Sequence, residues 1–89
     1  MKIKKGFVLR ELAGEMIITG EGFEHIDFNK IITVNTTAAY IWENINNKEF
    51  DKTYIIDLLT SRYNVEKAVA EKDTDALLSS WKEIGLIEE

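Results

Sequence analysis

The chain has no cysteine and no proline, one histidine, and only five glycines in 89 residues. Without cysteine there is no disulfide and no thiolate nucleophile, and His25 is left as the one soft metal ligand. No proline, repeat or low-complexity stretch marks an internal boundary, so residues 1–89 are expected to form a single domain. No apolar run approaches the ~18 residues needed to cross a bilayer, and no membrane partner is expected. The segment MKIKKGFVLREL starts positive, but it lacks the apolar stretch and small-residue cleavage site of a signal peptide. A cytoplasmic protein is the expectation.

What is present is the balance of a folded domain. Hydrophobic residues make up 45% and charged residues 30%, which is enough apolar surface to build a core. A chain of this length buries a little over ~60% of its unfolded surface. The net charge of −5 is unevenly placed: residues 1–10 hold Lys2, Lys4, Lys5 and Arg10 with no acid, so the remainder sums to −9.

The first third reads as strands and the rest as helices, the pattern of an α+β domain. FVLREL and EMIITG, joined at Ala13-Gly14, predict a hairpin. A looser segment from Gly20 to Asn29 leads into a third strand, KIITV. Asn35 then caps a first helix with Ala38, Ile41, Trp42 and Ile45 on one face. Asp51 caps a second, with Ile55, Leu58, Leu59 and Tyr63 inward, ending near Asn64. The third helix is expected over about Val65 to Ile84, with Val69, Leu77, Trp81 and Ile84 on one face. Gly85 closes it, and Leu86-Ile87 folds back on the core. A meander is the simplest arrangement for the sheet, and it leaves the first and third strands at the edges.

A search for chemistry turns up little. There is no GxGxxG, P-loop or HExxH pattern. Gly20-Glu21-Gly22 places an acid where a phosphate cradle wants none, and it reads as a plain loop. His25, beside Glu24 and near Asp27, has neither a nucleophile nor a second ligand nearby, so it reads as an ordinary loop residue. Glu71, Asp73 and Asp75 form a solvated helix face, and Trp42 and Trp81 fall in apolar stripes that suit core packing. No catalytic residue, metal or cofactor is expected.

Binding is the remaining class. A winged helix-turn-helix would send its last helix to DNA, yet residues 64–89 carry seven acids and three bases. No nucleic-acid partner is expected. The third strand is more suggestive, because free strand edges are normally blunted with proline, charges or a bulge. Ile31 to Val34 has none of these, and only Lys30 guards its entrance. Such an edge either accepts an extended peptide or is covered by a helix, a loop or a dimer partner.

The order GFVLREL, FNKIITVNTTAAYIWENI, RYNV and DALLSSWKEIGLI resembles the PqqD family, also called RiPP recognition elements, over about residues 6–87. Its most specific parts are the strand-to-helix join, with Asn35, Thr37, Ala38, Ala39 and Trp42, and the closing Gly85-Leu86. The resemblance implies a three-stranded antiparallel sheet followed by three helices, winged helix-turn-helix-like and repurposed for peptides. It implies binding the leader of a ribosomally made precursor peptide and presenting it to a modifying enzyme, often a radical SAM enzyme. It places the leader against Lys30, Ile31, Ile32, Thr33 and Val34, with Val69, Ala70, Asp73, Thr74 and Leu77 on the third helix lining the groove. Trp81 departs from the aliphatic residue common at its position in the family. The alternatives left open are a homodimeric subunit module using the same strand edge and a nucleic-acid-binding regulator.

Overall fold

The computed structural model describes residues 1–20 and 31–88. His25, Lys30 and the segment between Glu21 and Asn29 lie outside the described residues. The elements are β1 (Lys2–Ile3), β2 (Phe7–Leu12), β3 (Glu15–Gly20), β4 (Ile32–Val34), α1 (Thr36–Ile45), α2 (Lys52–Arg62), α3 (Lys67–Glu83) and β5 (Ile87–Glu88).

Strands β2, β3 and β4 form a three-stranded antiparallel meander in that order, with β3 central. The hairpin turn is two residues long, Ala13-Gly14, and both have positive φ, 52° and 83°. That pairing of angles is a type I′ turn, whose twist matches the strands it joins. Ala13 occupies its first position although it carries a Cβ, which the left-handed region disfavours. The central strand is buried on both faces: Ile17, Ile18 and Thr19 all lose their solvent contact.

Side-chain capping starts the first two helices where the sequence predicts. The Asn35 carboxamide oxygen accepts from the Ala38 N–H at 2.8 Å, and the Asp51 carboxylate from the Tyr54 N–H at 2.8 Å. At the other end of α3 the Leu86 N–H donates to the Trp81 carbonyl, and the Gly85 N–H to that of Lys82. This is a Schellman closure, and it needs the φ of +83° that Gly85 supplies. It also carries Leu86, fully buried, into the core.

The closure has a consequence the sequence did not announce. It sends the chain into β5, which pairs antiparallel with β1, Ile3 opposite Ile87. A second, two-stranded ribbon thus joins the two ends of the chain. The Met1 ammonium donates to the Phe50 carbonyl, and the Phe50 N–H donates back to Met1, so the first residues are also tied to the α1–α2 loop.

One core unites these elements. Trp42 and Trp81, each 2% exposed, meet edge to face with ring centroids 5.8 Å apart. The inner face of α3 differs from the expected one. Ala70, Thr74, Leu78 and Trp81 are buried, whereas Val69 and Ile84 are each 46% exposed and Leu77 is half-buried. Small side chains at Ala70 and Thr74 let the first half of α3 lie close against its neighbours, while Leu78 and Trp81 fill the core beside its second half. On α2, Ile56 joins Ile55 and Leu59 inside, while Leu58 and Tyr63 are half-buried. Lys52 and Asp75 bridge α2 and α3 at 2.7 Å, and that hydrogen bond holds the Lys52 pKa above its ordinary value. Both side chains are exposed, so the pair adds little to stability.

Two substitutions test this account in opposite directions. Trp81→Ala should cost about 3–5 kcal/mol, read as a fall in urea midpoint, by removing half of the aromatic pair and opening a cavity. Ala13→Asn should gain about 0.5–1 kcal/mol in the same experiment, since asparagine tolerates the left-handed turn position.

Candidate functional site

The sheet has two edges, β2 and β4, and turn geometry decides which backbone groups of β4 are in use. The residues flanking a two-residue hairpin turn, here Leu12 and Glu15, form the hydrogen-bonded pair that closes it. Glu15 therefore directs its N–H and C=O to β2, and strict alternation turns those of Met16 and Ile18 toward β4. In the β3–β4 register Met16 faces Val34, Ile17 faces Thr33 and Ile18 faces Ile32. Ile32 and Val34 thus bond to β3. Thr33 points its N–H and C=O away from the sheet, to the edge.

No strand among the described residues pairs with that edge. It has no proline, no bulge and no charged side chain from Ile31 to Val34. Side chains alternate as the pleat requires: Val34 is buried and Ile32 half-buried on the core face, while Thr33 is exposed on the other. Ile31 is half-buried and lies just before β4. Asn35 pins the strand's far end by capping α1, so the edge is carried on a rigid join.

The α3 candidates fall into two stripes. Val69, Asp73 and Leu77, spaced by four, share one; Val69 and Asp73 are exposed and Leu77 is half-buried. Ala70 and Thr74, at 1% and 0% exposure, belong to the core stripe. Burial removes these two from the surface an extended chain can touch, because reaching them requires opening the α3 packing. Val65, just ahead of α3 and 38% exposed, adds an apolar group that the sequence reading did not assign to the site.

This arrangement offers main-chain hydrogen bonds and scattered apolar contact. Among the described residues no group of histidine, aspartate and glutamate is placed to hold a metal ion. No helix among them is long and apolar enough to cross a membrane.

A family model described as coenzyme PQQ synthesis protein D (PqqD) matches residues 7–87. The chain belongs to the PqqD family. Two solved structures share this PqqD fold. One, described as TbiB1 in complex with the TbiA(beta) leader peptide, has a TM-score of 0.73 at 18% identity, over 99% of this chain and 95% of that one. The other, a lasso peptide synthetase B1 complexed with the leader peptide, has a TM-score of 0.70 at 24% identity, over 99% and 96%. At these identities the likeness is one of fold. No curated protein matches the chain.

Within this PqqD fold, Thr74 is the one buried side chain among the described residues whose polar atom lacks a hydrogen-bond partner. An unmet buried hydroxyl costs about 1–3 kcal/mol. Thr74→Val, which keeps the shape and deletes the hydroxyl, should raise the thermal midpoint or leave it unchanged. A clear loss of stability would show that the hydroxyl has a role the packing does not reveal.

Proposed function

We propose that this PqqD-family protein is a non-catalytic, single-domain peptide-recognition module. It binds the leader segment of a ribosomally made precursor peptide by strand addition at β4 and presents the rest of that peptide to a modifying enzyme, of the radical SAM class. The observation that carries the reading is the outward-pointing N–H and C=O of Thr33 on an edge with no protective feature. An incoming strand satisfies both groups and extends the sheet. That both fold neighbours are described in complex with leader peptides supports the same reading.

In this scheme the leader runs along residues 30–34, including Lys30 and Ile31. Val69 and Leu77 supply apolar anchors on α3, and Asp73 between them favours a cationic side chain in the peptide. Holding the leader on a separate module keeps the reactive part of the peptide at high effective concentration near one catalytic site. The same open edge also suits a second copy of the chain, and an edge-to-edge dimer would be isologous. Peptide should then compete with dimerisation, which light scattering with and without peptide reads directly.

The deciding variant is Thr33→Pro, because proline removes the outward donor without touching the bonds between β3 and β4. A labelled leader peptide that the unaltered protein binds should bind the folded variant about 10- to 100-fold more weakly. Thr33→Ala, which changes only the exposed side chain, should bind normally. Equal binding by all three proteins would remove β4 pairing from the mechanism.

A further inference from the structure

A cleft of about 880 Å³ has no β4 residue in its lining, and that lining is unlike the rest of the molecule. One wall is the N-terminal segment, with Lys2, Lys4, Lys5, Gly6 and the start of β2. The other is the α1–α2 loop, with Asn46, Asn47 and Lys48. Four lysines and two carboxylates, Glu49 and Glu88, give this lining a net charge of +2 on a chain whose total is −5. Among the described residues Lys2, Lys4 and Lys5 form no ion pair. Lys48 donates to the hydroxyl of Tyr54, a residue outside the lining, at 3.2 Å, so its ammonium is engaged beside the cleft and Lys2, Lys4 and Lys5 carry most of the cleft's positive charge.

The N-terminal wall is anchored by backbone hydrogen bonds. The Lys4 N–H donates to the Leu86 carbonyl, β1 pairs with β5, and Met1 and Phe50 exchange two bonds at the base. Like charges gathered on a held frame repel one another, and an anionic occupant relieves that repulsion. The cleft begins at β2, so it flanks the opposite edge of the sheet from β4.

We infer that this cleft is a second docking surface, which takes a carboxylate-rich segment of a partner protein while β4 remains free for a peptide. A compact acidic segment suits it better than a nucleic acid does. Glu49 and Glu88 in the lining, and the acidic surface beyond it, repel a long polyanion but tolerate a few localised carboxylates. The inference rests on the charge of the residues that line the cleft and stands whether or not β4 pairs with a leader.

The test is a titration of the whole protein with a short Glu-rich peptide at low salt, followed by backbone amide shifts in NMR. Shifts confined to residues 2–8 and 46–49, absent at 32–34 and suppressed by added salt, are expected. Lys4→Glu/Lys5→Glu should weaken that binding about tenfold or more, and the milder Lys5→Gln about two- to threefold, the scale of exposed charge pairs. Leader-peptide affinity should not change in either variant, which separates this surface from the β4 edge. Unchanged affinity for the Glu-rich peptide in the folded double variant overturns the proposal. So does a DNA duplex that binds more tightly than the peptide and is lost in the same variant, since that outcome assigns the cleft to phosphate.

Discussion

The direction of the β4 edge, which no strand among the described residues pairs with, follows from the length of one turn. Two residues between β2 and β3 make Leu12 and Glu15 a hydrogen-bonded pair, and every later backbone group inherits its direction from that parity. One more residue in the turn would change the pairing at its base and, with it, which β3 residues face β4. Glycine at position 14 and the positive φ of Ala13 therefore act at a distance: they help determine that Thr33 faces outward. The strained alanine is tolerated because the strands it joins are tightly held, β3 being buried on both faces.

Rigidity at the edge in turn depends on the core beneath it. Val34 is buried in the same cluster as Trp42 and Trp81, and the Asn35 cap makes β4 continuous with α1. The α3 helix reaches that cluster by presenting Ala70 and Thr74, whose small side chains permit close approach. Leu78 and Trp81 join them, while Val69 on α3 and Ile84 just past its end are left at the surface. The Schellman closure after α3 then delivers Leu86 to the core and β5 to β1. A small domain with a modest core gains from closing its ends in this way, since the first and last residues are where fraying starts.

Features governed by neighbours in sequence were legible, and those governed by distant partners were not. Asn35, Asp51 and Gly85 announce helix ends because capping is a local hydrogen-bonding problem, solved by the same few side chains wherever it arises. Ala13-Gly14 announced a turn for the same reason. Trp81 was expected inside and is, but the first half of the α3 face was misread because bulk was taken as the marker of burial, whereas the buried positions there are Ala70 and Thr74. The β1–β5 ribbon gave no periodicity, being two residues on each side and separated by nearly the whole chain. For the candidate site, the unprotected run from Ile31 to Val34 was visible in the sequence. The outward direction of Thr33 was not, because it requires the register as well as the turn. Likewise the basic start of the chain was plain, but its assembly with Lys48 into one cleft needed the fold.

The two edges of the sheet are defended differently, and the difference is itself informative. Strand β2 carries Arg10 and Glu11 and opens beside a group of lysines, the kind of charge that discourages another strand from pairing there. Strand β4 is short and carries no charge at all. A protein avoiding strand addition altogether would protect both edges, and one indifferent to it would protect neither. Protection on one edge alone directs pairing to the other, so that an added strand has one place to bind and one register set by Thr33. Shortness limits the risk that such an edge brings, because three residues offer too few main-chain bonds to hold an arbitrary chain. Selective binding then requires side-chain contacts beyond the strand. In the proposed site those contacts come from Val69, Asp73 and the half-buried Leu77 on α3, an anionic group between two apolar ones. Weak backbone pairing supplemented by a few anchors would give an affinity that holds a ligand and still releases it, as the proposed hand-over of a peptide to an enzyme requires.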